Sequence, residues 1–357
     1  MNNFRKVLLI GAEDEFTRQL SARLLQFGVQ IDHFDFNNSS LRIAGVIQKQ
    51  YDSGGYFHFI KRFWYAFLII RFIPSNYDYL HYFFIKYEYL LLYPLLNRKG
   101  KKIYAYVFGS DFNVNPIRGT FYLFFRECHK IFFSNPELKR EFAACYSLFP
   151  ETKYVVQHFG IGLLDTIKQA IPLYSPAKAE YVITIGSSAS LVEQHEKIIE
   201  EILKWEDGRK YQLKFVIPLT YGGYATDELK TQLQTLARSY KVEILTEYLS
   251  LEKLALIRLQ TDIFISLRKS DQLSAALVEY VYSGAAVITG SWLPYKFFKQ
   301  IGIELIQVDS ISGLIPQLSY TLSNLPVLKS KAMLNRDIIY STFSWDSVQR
   351  KWTELYQ

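Results

Sequence analysis

The sequence predicts an α/β protein built from two Rossmann-like domains. Its 357 residues exceed the size at which a single hydrophobic core usually stops growing. Short apolar segments typical of buried parallel strands alternate with segments of helical periodicity, and this alternation restarts after a proline-bearing stretch. We therefore expect an N-terminal domain over residues 1–170, a second domain over 171–335, and a C-terminal helix within 336–357 that packs back on the first domain.

The first half opens with a strand, a helix and a second strand. Lys6–Gly11 is a short apolar segment that leads into a turn, and Val29–Phe34 alternates in the manner of a strand. Between them, apolar residues recur at helical spacing. Further strands are predicted at Tyr79–Phe84, Lys102–Phe108 and Lys130–Phe133. Because helical segments separate these strands, we expect a parallel sheet covered by helices.

The same alternation returns after Ile171–Glu180, which we interpret as the linker between the domains. The predicted strands of this half are Tyr181–Ile185, Leu213–Ile217, Lys241–Ile244, Ile263–Leu267 and Ala286–Thr289. The predicted helices are Gln194–Trp205, Thr226–Tyr240, Leu251–Gln260 and Gln272–Tyr282, followed by a last helix near Trp345–Tyr356. A second α/β sheet follows from this order.

Positive charge is concentrated in the first half of the chain. The formal net charge is +7, and the whole excess lies within residues 1–170. A basic half favours an anionic or membrane-associated partner. Tyr51–Tyr93 is rich in aromatic residues and also carries Lys and Arg, a composition that suits a membrane interface, although burial of most of these rings in the core of the first domain is the alternative that we favour. His81, on an apolar strand within it, is expected in the core.

Several classes of protein are disfavoured by the sequence. No segment approaches the roughly 18 uncharged residues of a membrane-spanning helix, and Met1–Glu15 lacks the apolar run of a signal peptide. We expect a cytoplasmic protein, with the inner face of the cell membrane as an alternative location. Cys128 and Cys145 form no CxxC pair and no zinc-ligand spacing, so no metal is expected. No RNP, OB or helix-turn-helix signature indicates nucleic-acid binding.

Asp262–Gly290 is the most informative stretch. A buried strand ends in a basic turn at Arg268 and Lys269, and Asp271 precedes a helical segment. Helix N-termini at the carboxyl ends of parallel strands bind diphosphates through backbone N–H groups and the helix dipole, and a nearby cation adds neutralising charge. This stretch therefore predicts a diphosphate site.

Two acidic residues of this stretch have a spacing that suits an activated sugar. Asp271 and Glu279 are separated by roughly 12 Å along an α-helix, at about 1.5 Å per residue. One carboxylate could bind sugar hydroxyls and the other the ribose hydroxyls of a nucleotide. The alternative is an Asp helix cap beside a solvated or ion-paired Glu.

The same residues resemble a known family element. Seven residues separate Asp271 from Glu279, and Gly284 then precedes Val287–Ile288. This pattern resembles the E-x7-E element of retaining GT-B glycosyltransferases of the family 4 type, with Asp in place of the first Glu. A second resemblance is to bacterial 4-acetamido-4,6-dideoxygalactose transferases, which extend lipid-linked oligosaccharides. It is carried by IGSSAS with Gln194 and His195, by VIPLTYGG at Val216–Gly223, by ILTEYLSLEKLALIRLQTDIFI, and by Asp271–Gly290.

These resemblances imply a GT-B fold, with two Rossmann-like domains facing across a cleft, and a hexosyltransferase in bacterial polysaccharide synthesis. The implied donor is a nucleotide-diphosphate sugar, and the implied acceptor is a glycan, polyprenyl-diphosphate-linked or protein-linked. No metal or other cofactor and no nucleic-acid partner is implied. Peripheral membrane contact would fit a lipid-linked acceptor.

The resemblances also imply roles for individual residues. The catalytic residues would be Asp271, Glu279 and Asp111. The donor-binding residues would be Arg268, Lys269, Gln272, Ser187, Ser188, His195, Tyr221 and Gly222. The acceptor side would include Gly109 and His158. Plain alternatives remain for several of these: a surface position for His195, a simple glycine turn after Tyr221, and a turn or cap for Asp111.

Two other functions remain open at this level. The chain could be a non-catalytic GT-B-like partner subunit or a sugar-binding protein of a glycosylation complex, since Asp271 replaces the first Glu of the element. Hydrolysing epimerases share the two-domain architecture and act on sugar nucleotides, and a fold by itself does not distinguish the two reactions. The sequence does not specify the sugar, the nucleotide or the stereochemical course.

Overall fold

The computed structural model divides the protein into two compact units. Unit 1 comprises Met1–Gly160 together with Trp345–Gln357, and unit 2 comprises Ile161–Ser344. The structure describes residues 5–36, 38, 40–50, 58–86, 90–109, 118–175, 180–223 and 225–356. Within these ranges every helix is either too short or too polar to span a bilayer.

Unit 1 is built on an eight-stranded sheet in the order β4-β3-β2-β1-β5-β6-β7-β8. Its strands are β1 (Lys6–Ile10), β2 (Gln30–Asp35), β3 (Ser40–Ile43), β4 (Val46–Gln50), β5 (Tyr77–Phe83), β6 (Gly100–Val107), β7 (Lys130–Phe133) and β8 (Tyr154–Val156). The described helices are α1 (Glu15–Gln26), α2 (His58–Ile70), α3 (Tyr93–Asn97), α4 (Arg118–Glu127), α5 (Pro136–Cys145) and α14 (Trp345–Glu354). Neighbouring strands are parallel except in the pairs β2–β3 and β3–β4.

Unit 2 is built on a six-stranded parallel sheet in the order β11-β10-β9-β12-β13-β14. Its strands are β9 (Tyr181–Ile185), β10 (Leu213–Pro218), β11 (Lys241–Leu245), β12 (Ile263–Ser266), β13 (Ala286–Gly290) and β14 (Ile306–Val308). Its described helices are α6 (Leu163–Ala170), α7 (His195–Leu203), α8 (Asp227–Ser239), α9 (Leu251–Gln260), α10 (Ala275–Ser283), α11 (Lys296–Gln300), α12 (Leu314–Ser323) and α13 (Leu325–Phe343). This is the classical Rossmann order, which reverses direction between β9 and β12.

Each predicted strand has a counterpart that begins and ends within two residues of the prediction. The antiparallel strands β3 and β4 were not predicted, because they are short and only partly buried. Their hairpin turns at Ala44 and Gly45, whose φ angles of +48° and +79° are both in the left-handed region. The backbone N–H of Ala44 donates a 2.9 Å hydrogen bond to Asp32, which stabilises the turn.

The boundary between the units differs from the predicted one. The structure assigns Ile161–Ala170 to unit 2, whereas the sequence places residues up to 170 in the first domain. Leu164 and Ile167, on α6, are fully buried in the core of unit 2, so this helix is bound to the second sheet. The proline-bearing stretch predicted as the linker therefore lies inside unit 2. The prolines of this stretch indicate the end of a helix and not the end of a domain.

The C-terminal helix α14 packs within unit 1. Trp345, Trp352 and Tyr356 are at most 1% exposed and complete its aromatic core. The indole Nε1 of Trp352 donates a 2.9 Å hydrogen bond to the carbonyl of His158. Gly160 lies so close that a Cβ there would be 2.1 Å from the Trp345 ring. The helix is therefore an integral part of this core.

His81 lies in that core, as the sequence predicts. It is completely buried, and its Nδ1 atom is 2.6 Å from the hydroxyl of Tyr356. Burial lowers the pKa of His81 to about 3, so the ring is neutral near pH 7. Its position links β5 to the C-terminal helix.

The aromatic segment Tyr51–Tyr93 contributes mainly to the core, although part of it lies at the surface. Residues 51–57 and 87–89 are outside the described ranges. Among the described rings, the buried ones are Tyr77, Tyr79, Tyr82, Phe83 and Tyr93. Trp64 and Phe72 are instead 56% and 52% exposed. Other rings of the segment are partly buried and pack against the core. Of the two interpretations left open by the sequence, the core one thus applies to most of the described rings when these are included, and a smaller exposed group remains.

Candidate functional site

The loops that follow β9 and β12 lie at the reversal point of the unit 2 sheet, where open α/β sheets bind ligands. In the loop after β9, Ser187 Oγ donates a 2.8 Å hydrogen bond to Glu193 Oε1, and Ser188 Oγ donates to the same oxygen at 3.2 Å. The Glu193 side chain is only 1% exposed. Gly186 begins the loop with a φ of +65°, a conformation that favours glycine. The loop is thus organised around a buried negative charge.

Two hydrogen bonds connect this loop to the loop after β12. Gln194 adopts a left-handed φ of +58°, and its Nε2 atom donates a 2.6 Å hydrogen bond to the carbonyl of Leu267. The backbone N–H of Lys269 donates to the carbonyl of Val192 at 2.9 Å. Because Val192 and Gln194 flank Glu193, these bonds hold its carboxylate beside the second loop.

His195 lies at the first position of α7 but is buried, not at the surface. Its Nε2 donates a 2.7 Å hydrogen bond to the carbonyl of Ser188, while its Nδ1 is buried without a hydrogen-bond partner in the described part of the chain. Burial lowers the pKa of His195, so the neutral Nε2–H form is favoured. The alternative of a surface helix residue is therefore wrong. The predicted donor role of His195 stays a prediction.

The loop after β12 is organised around Arg268. Arg268 Nη1 donates a 3.1 Å hydrogen bond to Asp271 Oδ1, and its Nε lies 3.8 Å from Glu193 Oε1. That Nε is buried, and no described group accepts a hydrogen bond from it. The hydroxyl of Tyr295 donates a short hydrogen bond to Asp271 Oδ2. One guanidinium thus lies between two carboxylates and retains one unused buried donor.

The helix near Asp271 begins later than the sequence indicates. α10 starts at Ala275 with Ser274 as its N-cap residue, and the Ser274 side chain makes no capping hydrogen bond. Asp271 lies in the preceding loop, where Arg268 and Tyr295 bind it. The separation of roughly 12 Å, calculated for a continuous helix at about 1.5 Å per residue, therefore does not apply. The first backbone N–H groups of α10 still have no acceptor within the helix and point outward from its N-terminus, as the predicted diphosphate site requires.

Glu279 forms a buried ion pair. Its Oε2 accepts a 2.9 Å hydrogen bond from Arg258 Nε, and the two side chains are 10% and 6% exposed. Arg258 Nη1 also donates to the hydroxyl of Tyr280 at 2.6 Å, and the guanidinium lies 4.2 Å from the centre of that ring. Burial lowers the pKa of Arg258, but Tyr280 and Glu279 outweigh this and hold it above its usual value. Arg258 therefore keeps its positive charge beside the Glu279 carboxylate.

Tyr221 lies near the carboxylates of Glu193 and Glu279. Partial burial raises the pKa of Tyr221, and the negative charges of Glu193 and Glu279 raise it further, so both carboxylates are close enough to act on its hydroxyl. The ring is half exposed and lies nearly parallel to that of Tyr248, with centroids 6.3 Å apart. Gly222, which follows with a φ of +93°, permits the turn.

The remaining predicted donor residues lie in the same loops. Lys269 is exposed and lines a small pocket together with Gln194 and His195. Gln272 lies between Asp271 and the start of α10 and is partly buried. Apart from Glu279, which lies within α10, the unit 2 predictions are thus on the loops after β9, β10 and β12 or directly after them, at one end of one sheet.

The predicted residues of unit 1 form a separate group. Asp111 lies outside the described residues, so its predicted role stays a prediction. Gly109 follows β6 and has a φ of +90°. The Nδ1 of His158 donates a 2.8 Å hydrogen bond to the carbonyl of Ser134, and burial lowers the pKa of His158 to about 4. The His158 ring therefore already has a hydrogen-bond partner within unit 1.

Three residues of the site were missed by the sequence reasoning: Glu193, Arg258 and Tyr295. Arg258 and Tyr295 lie 21 and 24 residues from their partners Glu279 and Asp271, so no local spacing reveals those contacts. Glu193 had one signal, since it directly precedes Gln194 and His195 at the start of a predicted helix. Across the described ranges, no cluster of three or more His, Cys, Asp or Glu side chains is arranged to hold a metal ion.

Changing Glu193 to glutamine should lower the free energy of unfolding by about 1–3 kcal/mol. The buried serine hydroxyls would lose a charged acceptor, and hydrogen bonds to charged groups contribute about that amount. Urea unfolding followed by circular dichroism measures the change. Glu206→Gln, at an exposed position, serves as the control and should stay within about 0.5 kcal/mol of the parent protein. Equal stabilities of the two variants would contradict a structural role for the Glu193 charge.

Comparisons with known proteins reveal similarity at the level of the fold. No family model matches the chain, and no curated protein sequence matches it significantly. The structure is similar to a glycosyltransferase from Rickettsia africae, with a TM-score of 0.74 and 15% identity over 99% of this chain and 98% of that one. It is similar to sucrose-phosphate synthase from Thermosynechococcus elongatus, with a TM-score of 0.72 and 12% identity over the same shares.

A third similar structure contains a sugar nucleotide. Anabaena HepE in complex with UDP-glucose matches with a TM-score of 0.70 and 11% identity over 98% of each chain. The similarity to these proteins extends over both units, at identities too low to indicate more than the fold. The chain therefore has the GT-B fold that the sequence predicted, with two Rossmann-like domains.

Proposed function

We propose that this protein is a glycosyltransferase of the hexosyltransferase type, which binds a nucleotide-diphosphate sugar in unit 2. The observation that carries the proposal is the unused buried donor of Arg268, in the loop that leads to the N-terminus of α10, where the Ser274 side chain makes no capping bond. A phosphate oxygen would satisfy that Nε, and the helix amides and dipole would bind the rest of the diphosphate. The UDP-glucose bound to HepE, which has the same fold, supports this assignment.

Asp271 is proposed to orient the transferred sugar. Both of its oxygens already accept a hydrogen bond, one from Arg268 and one from Tyr295. An ionised carboxylate has about four acceptor positions, so each oxygen can accept a further bond from a sugar hydroxyl. The two existing bonds fix the carboxylate, which lowers the entropic cost of orienting the substrate.

Glu279 is proposed to bind the nucleotide side of the donor, near Tyr221. Arg258 engages one of its oxygens and leaves the other for ribose hydroxyls. Among the described charges, Arg268 is already paired with Glu193 and Asp271, so its Nε would give the diphosphate a hydrogen bond, while the α10 amides and Lys269 would supply the remaining positive charge. We propose on this basis that the leaving diphosphate is stabilised without a metal ion.

We further propose that the acceptor is a glycan carried by a polyprenyl diphosphate or a protein, in bacterial surface glycan synthesis at the cytoplasmic face of the membrane. The basic and aromatic composition of the first half supports a lipid-linked acceptor. Gly109, Asp111 and His158 are the proposed acceptor-side residues. Asp111 would contact hydroxyl groups or act as a base.

Calorimetric titration with a panel of nucleotide-diphosphate sugars tests the donor proposal. At least one member should bind, and Asp271→Asn should weaken that binding about tenfold, which corresponds to about 1.4 kcal/mol. Loss of a charged acceptor to a sugar hydroxyl has this magnitude. Asp227→Asn, at a 98% exposed side chain on α8, is the control and should leave the affinity unchanged.

The outcomes separate the proposed functions. If no member of the panel binds, the non-catalytic partner subunit is favoured. Mass spectrometry with candidate acceptors then distinguishes transfer from hydrolysis or epimerisation of the donor. A turnover that is unchanged by a chelator would support metal-independent transfer, and a turnover abolished by it would contradict that part.

A further inference from the structure

One face of α2 is apolar although it is exposed to solvent. We use the name α2 strip for Ile60, Lys61, Trp64, Arg71 and Phe72, which lie on α2 or directly after it. The exposed fractions of Ile60, Trp64 and Phe72 are 62%, 56% and 52%. Positions 60 and 64 are four residues apart on the helix, so they lie on one side of its axis, and Arg71 and Phe72 follow directly at its C-terminal end.

The opposite face of the same helix is buried in the core of unit 1. Ala66 and Ile69 are fully buried, and Ile70 is 4% exposed. A helix at a protein–water boundary usually carries polar residues on its outer side, and one that is apolar on all sides is typical of a protein core or a lipid environment. Packing among the described residues of unit 1 therefore does not explain the outer face of α2.

Ring and cation contacts hold the strip together. Trp64 stacks on Phe67 with ring centroids 5.6 Å apart, and the guanidinium of Arg71 lies 5.5 Å from the Phe67 ring. The ammonium of Lys49, on the edge strand β4, lies 4.6 Å from the ring of Phe72. Aromatic rings and basic groups are thus presented together at one surface.

The charge of the region identifies the partner. From residue 58 to residue 77 the sequence contains Lys61, Arg62 and Arg71 but no Asp or Glu. Tryptophan and other amphipathic side chains settle in the interfacial region of bilayers, and lysine and arginine next to them attract anionic headgroups. A neutral or acidic protein surface would not require this combination.

We propose that the α2 strip docks the protein on an anionic lipid bilayer. The inference deepens the proposed function, because a polyprenyl-linked acceptor is held in a bilayer, but it does not depend on catalysis. Docking is peripheral: the rings enter the headgroup region while the basic side chains remain at phosphate level. All five residues of the α2 strip belong to unit 1.

Cosedimentation of the full chain with vesicles tests this. Wild-type protein should bind vesicles of phosphatidylcholine mixed with phosphatidylglycerol, bind pure phosphatidylcholine much less, and dissociate as salt shortens the Debye length from about 8 Å toward about 3 Å. Trp64→Ala combined with Phe72→Ala, and Lys61→Glu combined with Arg71→Glu, should each reduce the partition coefficient tenfold or more. Leu148→Ala is the matched control, since Leu148 is 79% exposed near the opposite edge of the sheet.

Three results would overturn the inference: no binding of wild type to the anionic vesicles, equal binding to neutral ones, or variants that bind as the control does. A wild-type dimer that dissociates on Trp64→Ala, without vesicle binding, would also overturn it and assign the strip to a second copy. Donor titration of the same variants separates the two proposals. Variants that still bind the donor but no longer bind vesicles would support both the donor site in unit 2 and the docking role of the α2 strip. Variants that still bind vesicles but no longer bind the donor would contradict both assignments.

Discussion

Replacing Arg258 with alanine is expected to lower the free energy of unfolding of unit 2 by about 3–5 kcal/mol. The change leaves Glu279 as a buried charge without its partner, and breaking a buried ion pair from one side has a cost of this size. Loss of the stacked guanidinium from the Tyr280 ring adds to the effect. Urea unfolding measures the loss, and amide hydrogen exchange identifies the unit that opens.

The double variant Arg258→Met with Glu279→Gln distinguishes the effect of the broken ion pair from the effect of lost packing. Removing both charges should cost much less than the sum of the two single changes, because no charge is left unpaired. The exposed pair Lys204 and Glu200, with side chains 59% and 56% exposed, is the control. Lys204→Ala should change stability by no more than about 1 kcal/mol. Additive effects at Arg258 and Glu279 would show that the two are not energetically coupled.

Truncating Trp352 to alanine is expected to destabilise unit 1 by about 3–5 kcal/mol. The side chain is fully buried, and its ring centroid lies 4.8 Å from that of Phe159 and 5.9 Å from that of Tyr106. Its indole also donates the hydrogen bond to the His158 carbonyl, which would be left without that donor. Thermal and urea unfolding of the full chain measure the change.

Trp64→Ala provides the matched control, since the same residue type is 56% exposed there. That change should shift stability by less than about 1 kcal/mol. If Trp352→Ala were no more destabilising than Trp64→Ala, α14 would have to be regarded as loosely attached, contrary to its burial.

The sheets could be predicted because their strands are continuous apolar segments. Strands such as Ile263–Ser266 are buried on both faces, and such strands are recognisable from composition alone. The hairpin Ser40–Gln50 is not, because its strands are short, mixed in character and partly exposed. Assigning Ile161–Ala170 to a unit required knowing which core received Leu164 and Ile167, and helical periodicity does not contain that information.

The candidate site was predicted only where its residues share one segment. Asp271 and Glu279 are linked by spacing, and Ser187 and Ser188 by a strand end, so local sequence indicated them. The contact of Glu279 with Arg258 depends on the packing of α9 against α10, which is a tertiary contact. The helix start was predicted too early because the contacts of Asp271 with Arg268 and Tyr295 compete with helix formation, and neither contact is visible in the sequence.

The discontinuity of unit 1 has a consequence for biosynthesis. Met1–Gly160 leaves the ribosome first, but the core that receives Trp352 cannot close until Trp345–Glu354 has been made, after the whole of unit 2. Nascent chains usually acquire structure from the N-terminus onward. Here the order is reversed: the domain that is translated first is the last that can be completed, and the apolar residues that pack against Trp345 and Trp352 wait for their partners throughout the synthesis of unit 2.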